Sequence, residues 1–197
     1  MRLAIIDSGG ANIASLRYAI ERLGVRAELT SDPQVLRAAS HVILPGVGAA
    51  ADCMARLRGA NLIDTIRGLR QPVLGICVGM QILFESSEEG DVPCLGLLPG
   101  RVQRFAARAG LPVPHMGWNQ LELQQPSPLL TGLASGDHVY YVHSYAAPPG
   151  APALATSTYG DQFAAIVRRG NVYGAQFHPE RSGRVGSLLL RNFLSLS

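Results

Sequence analysis

Long apolar runs are missing from this chain of 197 residues. No uncharged apolar stretch approaches the roughly 18 residues that a membrane-spanning helix requires, so no membrane association is expected. Charge is scarce as well: Asp, Glu, Lys and Arg make up 16% of the residues, against 47% hydrophobic. A chain of that balance buries enough apolar surface to fold and is not disordered. The formal net charge of +3 comes from scattered arginines, Arg56, Arg58, Arg67 and Arg70 among them, without interleaved aromatics. No nucleic-acid partner is therefore expected. Cysteine is limited to Cys53, Cys77 and Cys94, an odd number without any C-x-x-C. That excludes a disulfide framework and a structural zinc site, and reduced thiols are expected.

No secretory leader is expected either, since Met1-Arg2-Leu3-Ala4-Ile5-Ile6 is a short apolar run with Asp7 directly behind it, and a cytoplasmic location is expected with it. Repeats and low-complexity tracts are absent. The length suits a full core and is too short for two ordinary domains with a linker, so residues 1–197 are expected to form one domain.

What is present begins with alternating strand and helix signals. Leu3-Ile6 reads as a strand, and Ile13, Leu16, Ile20 and Leu23 then recur at helical spacing up to Gly24. Val25-Leu29 is a second strand. Asp32-Pro33 caps and opens a short helix, and His41-Leu44 is a third strand running into Pro45-Gly46-Val47-Gly48. Helical stretches around Ala50-Arg58 and Leu62-Leu69 precede a strand at Cys77. This alternation implies right-handed crossovers and a mainly parallel sheet covered on both faces. In the second half, Val102-Phe105, Val139-His143, Ala153-Thr158, Ala164-Arg168 and Val172-Phe177 are strands between Gly/Pro turns. They predict antiparallel additions before a last helix at Val185-Phe193.

Chemistry concentrates at two places. Gly75-Ile76-Cys77-Val78-Gly79 follows the apolar Pro72-Val73-Leu74, and G-x-C-x-G at the end of a buried strand is where a nucleophile elbow belongs. A thiol there would face the positive end of a helix over Val78-Phe84, which favours the reactive thiolate. A buried core cysteine is the plainer reading of a lone Cys; flanking glycines and a remote His-Pro-Glu favour the nucleophile. The second place is Tyr173-Gly174-Ala175-Gln176-Phe177-His178-Pro179-Glu180, which ends a strand. On an extended segment His178 and Glu180 project to one face, so the carboxylate can hold the imidazole as it takes and returns a proton. His143, His115, His138 and His41 lack a carboxylate at such spacing and are weaker candidates. Pro45-Gly46-Val47-Gly48 closes a strand with glycines that let backbone N–H groups point into a cleft, as an oxyanion site requires. An ordinary βα turn is the bland alternative. No further ligand motif accompanies Cys77, His178 and Glu180, so no metal is expected. Asp7-Ser8-Gly9-Gly10-Ala11-Asn12 joins a strand to a helix but lacks G-x-G-x-x-G, which argues against a dinucleotide cofactor.

With these segments in hand, the chain resembles the class I, triad-type glutamine amidotransferases essentially from end to end. Within that family, Pro45-Gly46-Val47-Gly48, Gly75-Ile76-Cys77-Val78-Gly79-Met80-Gln81, Ser87-Glu88-Glu89-Gly90, Leu95-Gly96-Leu97-Leu98-Pro99-Gly100, His115-Met116-Gly117-Trp118-Asn119 and Gln176-Phe177-His178-Pro179-Glu180 look like those of the glutaminase subunits of imidazole glycerol phosphate synthases. The resemblance implies a three-layer, flavodoxin-like α/β fold and hydrolysis of glutamine to glutamate and ammonia, without a cofactor. The ammonia would pass to a separate (β/α)₈-barrel cyclase subunit in a heterodimer, for histidine biosynthesis. It further implies Cys77 as nucleophile forming a glutamyl thioester, His178 as proton carrier and Glu180 as its orienting partner. Backbone N–H groups of Val47 and Val78 would receive the oxyanion. Gly46, Gln81, Ser144 and Tyr145 would contact glutamine, and Asn12 and Trp118 would face the partner.

Two departures stand out. Ser8 and Ala11 interrupt the family's frequent D-Y-G-x-G-N, and Arg181 replaces the lysine that usually follows H-P-E. Competing readings are a glutaminase serving another synthase of the superfamily, such as the anthranilate, guanylate or pyridoxal phosphate type; a non-catalytic binding module, which a missing triad member would favour; and a stand-alone cysteine hydrolase of peptides or γ-glutamyl conjugates.

Overall fold

The structure, a computed structural model, describes residues 1–8, 13–150 and 152–197. Asn12, expected at the partner surface, lies outside the described residues. In chain order the elements are β1 (Leu3–Ile6), α1 (Ile13–Glu21), β2 (Ala27–Thr30), α2 (Pro33–Ala38), β3 (His41–Gly46), α3 (Ala50–Gly59), α4 (Ile63–Arg67), β4 (Val73–Cys77), α5 (Val78–Gln81), β5 (Ser86–Ser87), β6 (Val92–Pro93), β7 (Arg101–Arg104), β8 (His115–Gln120), β9 (Glu122–Leu123), β10 (His138–His143), β11 (Tyr145–Ala146), β12 (Ala153–Tyr159), β13 (Asp161–Arg169), β14 (Val172–Ala175) and α6 (Gly183–Leu194).

The main sheet runs β2-β1-β3-β4-β14-β13-β12-β9. Its first five strands are parallel, and β13, β12 and β9 extend it antiparallel. This is the doubly wound arrangement with antiparallel additions that the alternating signals predict. The chain reverses direction after β2, so right-handed crossovers set α1 on one face of the sheet and α2, α3 and α4 on the other. Contacts agree: α2 packs on α4 and α3 on α5, whereas α1 and α6 both touch the turn at Pro179–Arg181. β1, β3, β4 and β14 are buried along their whole length, as their unbroken apolar runs require of strands covered on both faces. α6 buries Val185, Leu189, Leu190 and Phe193, a stripe at helical spacing. Asp32 caps α2 as expected, its Oδ1 accepting from Gln34 N at 2.7 Å with Pro33 in the first turn.

Two local expectations are corrected, and one strand lies where none was expected. The helix after Cys77 ends at Gln81 rather than Phe84, because the carbonyls of Ile82, Leu83 and Phe84 accept hydrogen bonds from the backbone of Leu95, Gly96, Leu97 and Leu98 instead of continuing the helix. β14 stops at Ala175, and the His-Pro-Glu segment is a 3₁₀ turn over Pro179–Arg181 with His178 as its N-cap. Proline suits that first position, where its missing N–H has no partner to lose. Finally, His115-Met116-Gly117-Trp118-Asn119-Gln120 forms a strand, β8, paired antiparallel with β10 in a separate two-stranded sheet. A third sheet, β11-β7-β5-β6, flanks the elbow region. Among the described residues no helix is long and apolar enough to cross a membrane.

Candidate active site

Cys77 ends β4 and begins α5 at φ 55°, ψ −115°, a backbone conformation that a residue with a side chain adopts only under constraint. The constraint is backbone packed on backbone. Gly46, at the end of β3, is paired with Cys77, and a Cβ at Gly46 would run into Gly79 N. A Cβ at Gly79 would overlap the Leu44 carbonyl, and one at Gly75 would strike the Gly79 carbonyl. The glycines around the elbow are thus required by a crossing of two chain segments that leaves no room for a methyl group. Being a single turn, α5 carries little macrodipole, so the charge that matters to the thiol is the one beside it.

That charge is His178. Its Nδ1 lies 2.8 Å from Glu180 Oε1, with both side chains buried, which leaves Nε2 for Cys77. Burial opposes an imidazolium here, but the hydrogen bonds and opposite charges supplied by Cys77 and Glu180 outweigh it and raise the His178 pKa to about 10. The turn is clamped to β10: His178 N donates to Tyr140 O at 3.0 Å, Ser182 Oγ to His178 O at 2.7 Å, and Tyr140 N to Ser182 Oγ at 3.0 Å.

A cavity of about 440 Å³ opens over these groups. Val47, Gly48, Cys77 and Val78 line it together with Val142 to Tyr145. Gln81, Glu89, His178 and Arg181 complete it with Pro114. The structure therefore brings Cys77, His178, Val47, Val78, Gln81, Ser144 and Tyr145 together from elements far apart in the chain. Glu180 stands behind His178 rather than on the cavity. Gly46 does not border it either; its role is the close approach to Gly79. Trp118 lies apart, 57% exposed on β8, with its ring edge-on to Tyr140 at 5.9 Å.

Buried Gln81 spends its Nε2 on Tyr145 O at 2.7 Å and Gln176 Oε1 at 3.1 Å, and its Oε1 has no partner among the described residues. Two cavity residues carry no role that the sequence alone assigns. Glu89 Oε2 accepts from Ala50 N at 2.8 Å, fastening the start of α3 just beyond Gly48, and its burial raises its pKa. The Ser87-Glu88-Glu89-Gly90 motif is its only signal. His143 sits beside Ser144, and its burial, reinforced by the nearby His115 and His178, lowers its pKa to about 3. Ser8, one of the departures, is buried and donates from Oγ to Pro45 O at 2.7 Å, bracing the start of Pro45-Gly46-Val47-Gly48. Arg181, the other, holds its guanidinium 5.5 Å above the Tyr140 ring. Among the described residues no three His, Cys, Asp or Glu side chains are placed to hold a metal ion.

A strained cysteine at a strand-to-helix elbow, with an imidazole against it and a buried carboxylate behind, sits on a doubly wound sheet. The family described as glutamine amidotransferase class-I matches residues 4–196, and the chain belongs to it. Among curated relatives, an imidazole glycerol phosphate synthase subunit HisH of Xanthomonas campestris pv. campestris (strain 8004) is 55% identical over 195 residues, covering 99% of this chain and 98% of that protein. The protein of the same name from Xylella fastidiosa (strain Temecula1 / ATCC 700964) is 54% identical over 194 residues, 98% of this chain and 97% of its own length. Solved structures share the fold: a glutamine amidotransferase superposes with a TM-score of 0.75 at 24% identity, covering 98% of this chain and 97% of that one. A putative GMP synthase protein from Thermoplasma acidophilum gives 0.76 at 20% identity, covering 98% and 92%.

Proposed function

We propose that this chain is the glutaminase subunit of an imidazole glycerol phosphate synthase, with Cys77, His178 and Glu180 as its catalytic set. The observation that carries this reading is the buried Cys77–His178 pair on the cavity, backed by Glu180, in a chain that matches relatives of that name over nearly its whole length. Glutamine enters the cavity with its carboxamide carbon against Cys77 Sγ. The thiolate attacks, and the proton it has given up rests on His178. Negative charge on the former carbonyl oxygen is received by backbone N–H groups of Val47 and Val78. His178 protonates the leaving nitrogen, ammonia departs, and a glutamyl thioester remains. His178, now neutral, takes a proton from water, which attacks the thioester and frees glutamate, while Glu180 holds the ring throughout. Gln81, Ser144 and Tyr145 hold the rest of the substrate.

The ammonia passes to a (β/α)₈-barrel cyclase subunit that makes imidazole glycerol phosphate and AICAR. This partner is supported by the word "subunit" in the relatives' name and by the exposed Met116 and Trp118 on β8. The reading takes residues 1–197 as one amidotransferase domain, supported by the family match, and places it in the cytoplasm, supported by three free cysteines. The test is the reconstituted pair with two nitrogen sources. Cys77→Ala is expected to abolish synthesis from glutamine and leave synthesis from ammonium intact. Equal loss from both sources would give Cys77 a structural role instead.

A further inference from the structure

One run of hydrogen bonds, reaching from the half-buried Asn119 inward to the cavity, has its proton positions fixed from both ends. Asn119 Nδ2 donates to Thr158 O at 2.9 Å and its Oδ1 accepts from Gln120 N at 2.8 Å, which settles the orientation of that amide. Its Nδ2 also faces His115 Nε2 at 3.4 Å, so that ring nitrogen must be the acceptor. His115 therefore carries its proton on Nδ1 and donates to His143 Nε2 at 3.1 Å. From the other end, His143 Nδ1 is 2.8 Å from the Tyr145 carbonyl oxygen, which can only accept; this too puts the His143 proton on Nδ1 and leaves Nε2 bare. The two deductions agree, and neither ring has room for a second proton. The surroundings agree as well, since the rings of Phe105, Tyr141, Tyr159 and Phe163 enclose the pair, and burial lowers both pKa values, to about 4 for His115 and about 3 for His143.

The Tyr145 oxygen is also the acceptor for Gln81 Nε2, which forces the Gln81 amide to point Oε1 away from it. The same Nε2 donates to Gln176 Oε1, so Gln176 must turn its own Nε2 toward Cys77 Sγ, 3.9 Å away. We propose that His115 and His143 are positioning residues for the glutamine site: two neutral Nδ1–H imidazoles that fix the Tyr145 carbonyl and, through it, the orientation of the Gln81 amide at the cavity wall and of the Gln176 amide against the nucleophile. The role rests on the glutaminase reading; the wiring does not. β8, which presents Trp118, is thereby joined to the cavity through polar groups of fixed direction.

Two measurements decide it. In the ¹⁵N spectrum of histidine-labelled protein, His115 and His143 are expected to be neutral Nδ1–H tautomers from about pH 5.5 to about pH 9. An Nε2–H tautomer or a titration of either ring in that range would overturn the wiring, whatever the protein's activity. In the assembled complex, His143→Phe keeps an aromatic ring among aromatic neighbours and removes only the polar link. It is expected to raise KM for glutamine about tenfold with kcat within about threefold, because the interaction lost is made equally in the ground and transition states. His143→Asn, whose Nδ2 stands in for Nδ1, is expected to recover most of that loss. Should His143→Phe fail to fold, His115→Phe, stacked between Tyr141 and Tyr159, is expected to raise KM about threefold. An unchanged KM in the folded variant, or equal losses in Asn and Phe variants, would overturn the positioning role. A wild-type complex that does not hydrolyse glutamine would overturn the glutaminase reading, and the proposed role with it, while the spectrum still decides the wiring.

Discussion

His178 Nδ1 and Glu180 Oε1 meet at 2.8 Å across a single proline because Pro179 opens a 3₁₀ turn that folds the carboxylate back under the ring. The folded-state pKa of His178, about 10, stands above its ordinary value of 6.5. Protonation therefore stabilises the fold fully below about pH 6.5, and that contribution is lost as pH rises through about 10. Urea unfolding at pH 7 and pH 10 is expected to show a larger drop in midpoint for the wild type than for His178→Ala. Equal drops would mean that His178 is not the charged member of this cluster.

The three thiols should differ sharply in reactivity. Burial pushes Cys53 and Cys94 up to about 11, whereas Cys77 borders the cavity with an imidazolium beside it. Iodoacetamide at about pH 8 is expected to modify one cysteine per native chain, Cys77, and His178→Ala is expected to slow that labelling about tenfold. Peptide mass mapping reads both; comparable labelling of Cys53 would contradict the assignment.

Gly186 sits inside α6, where alanine is ordinarily favoured by about 1 kcal/mol. Here the added methyl would overlap the Pro179 carbonyl, in the turn that carries Glu180. Gly186→Ala is expected to cost about 1–3 kcal/mol and to reduce glutamine turnover, while Gly59→Ala, at the end of α3 with open space around it, is expected to be neutral or stabilising by up to about 1 kcal/mol. A Gly186→Ala protein as stable as the wild type would show that α6 does not pin the turn.

Ser8 ties the N-terminal strand to the segment that precedes Val47. Removing its hydroxyl leaves the buried Pro45 oxygen without this donor, so Ser8→Ala is expected to cost about 1–3 kcal/mol in denaturant unfolding. Glutamine turnover is expected to fall with it. An unfolding free energy within about 0.5 kcal/mol of wild type would show that the hydrogen bond does not brace the loop.

Trp118 and Met116 are 57% and 67% exposed, so Trp118→Ala is expected to change stability by less than about 0.5 kcal/mol. Binding to the cyclase subunit, measured by calorimetry, is expected to weaken. Unaltered affinity would move the proposed interface away from β8.

Legibility along the chain followed burial. β1, β3 and β4 are read from unbroken apolar runs because both their faces are covered, and the elbow is read from glycines whose necessity lies in the crossing of Gly46 and Gly79. β8 escaped as a strand: Met116 and Trp118 face outward while His115 faces inward, so its hydrophobic pattern is inverted. The length of α5 depends on hydrogen bonds from residues 95–98, a tertiary fact that no local pattern encodes. The closeness of His178 and Glu180 is expected from an extended segment and arises from a turn. The partners that Ser8 and His115 meet lie 37 and 28 positions away, beyond the reach of any local motif.

β14 is inserted between β4 and β13, so the sheet that holds the nucleophile is closed by one of the last strands to be synthesised. The elbow precedes its base by about a hundred residues, roughly 5–20 s of translation. Until then β4 has one unpaired edge, and the thiol it carries lacks the imidazole beside it. A chain cut after β13 is accordingly an aggregation-prone open sheet rather than a smaller enzyme.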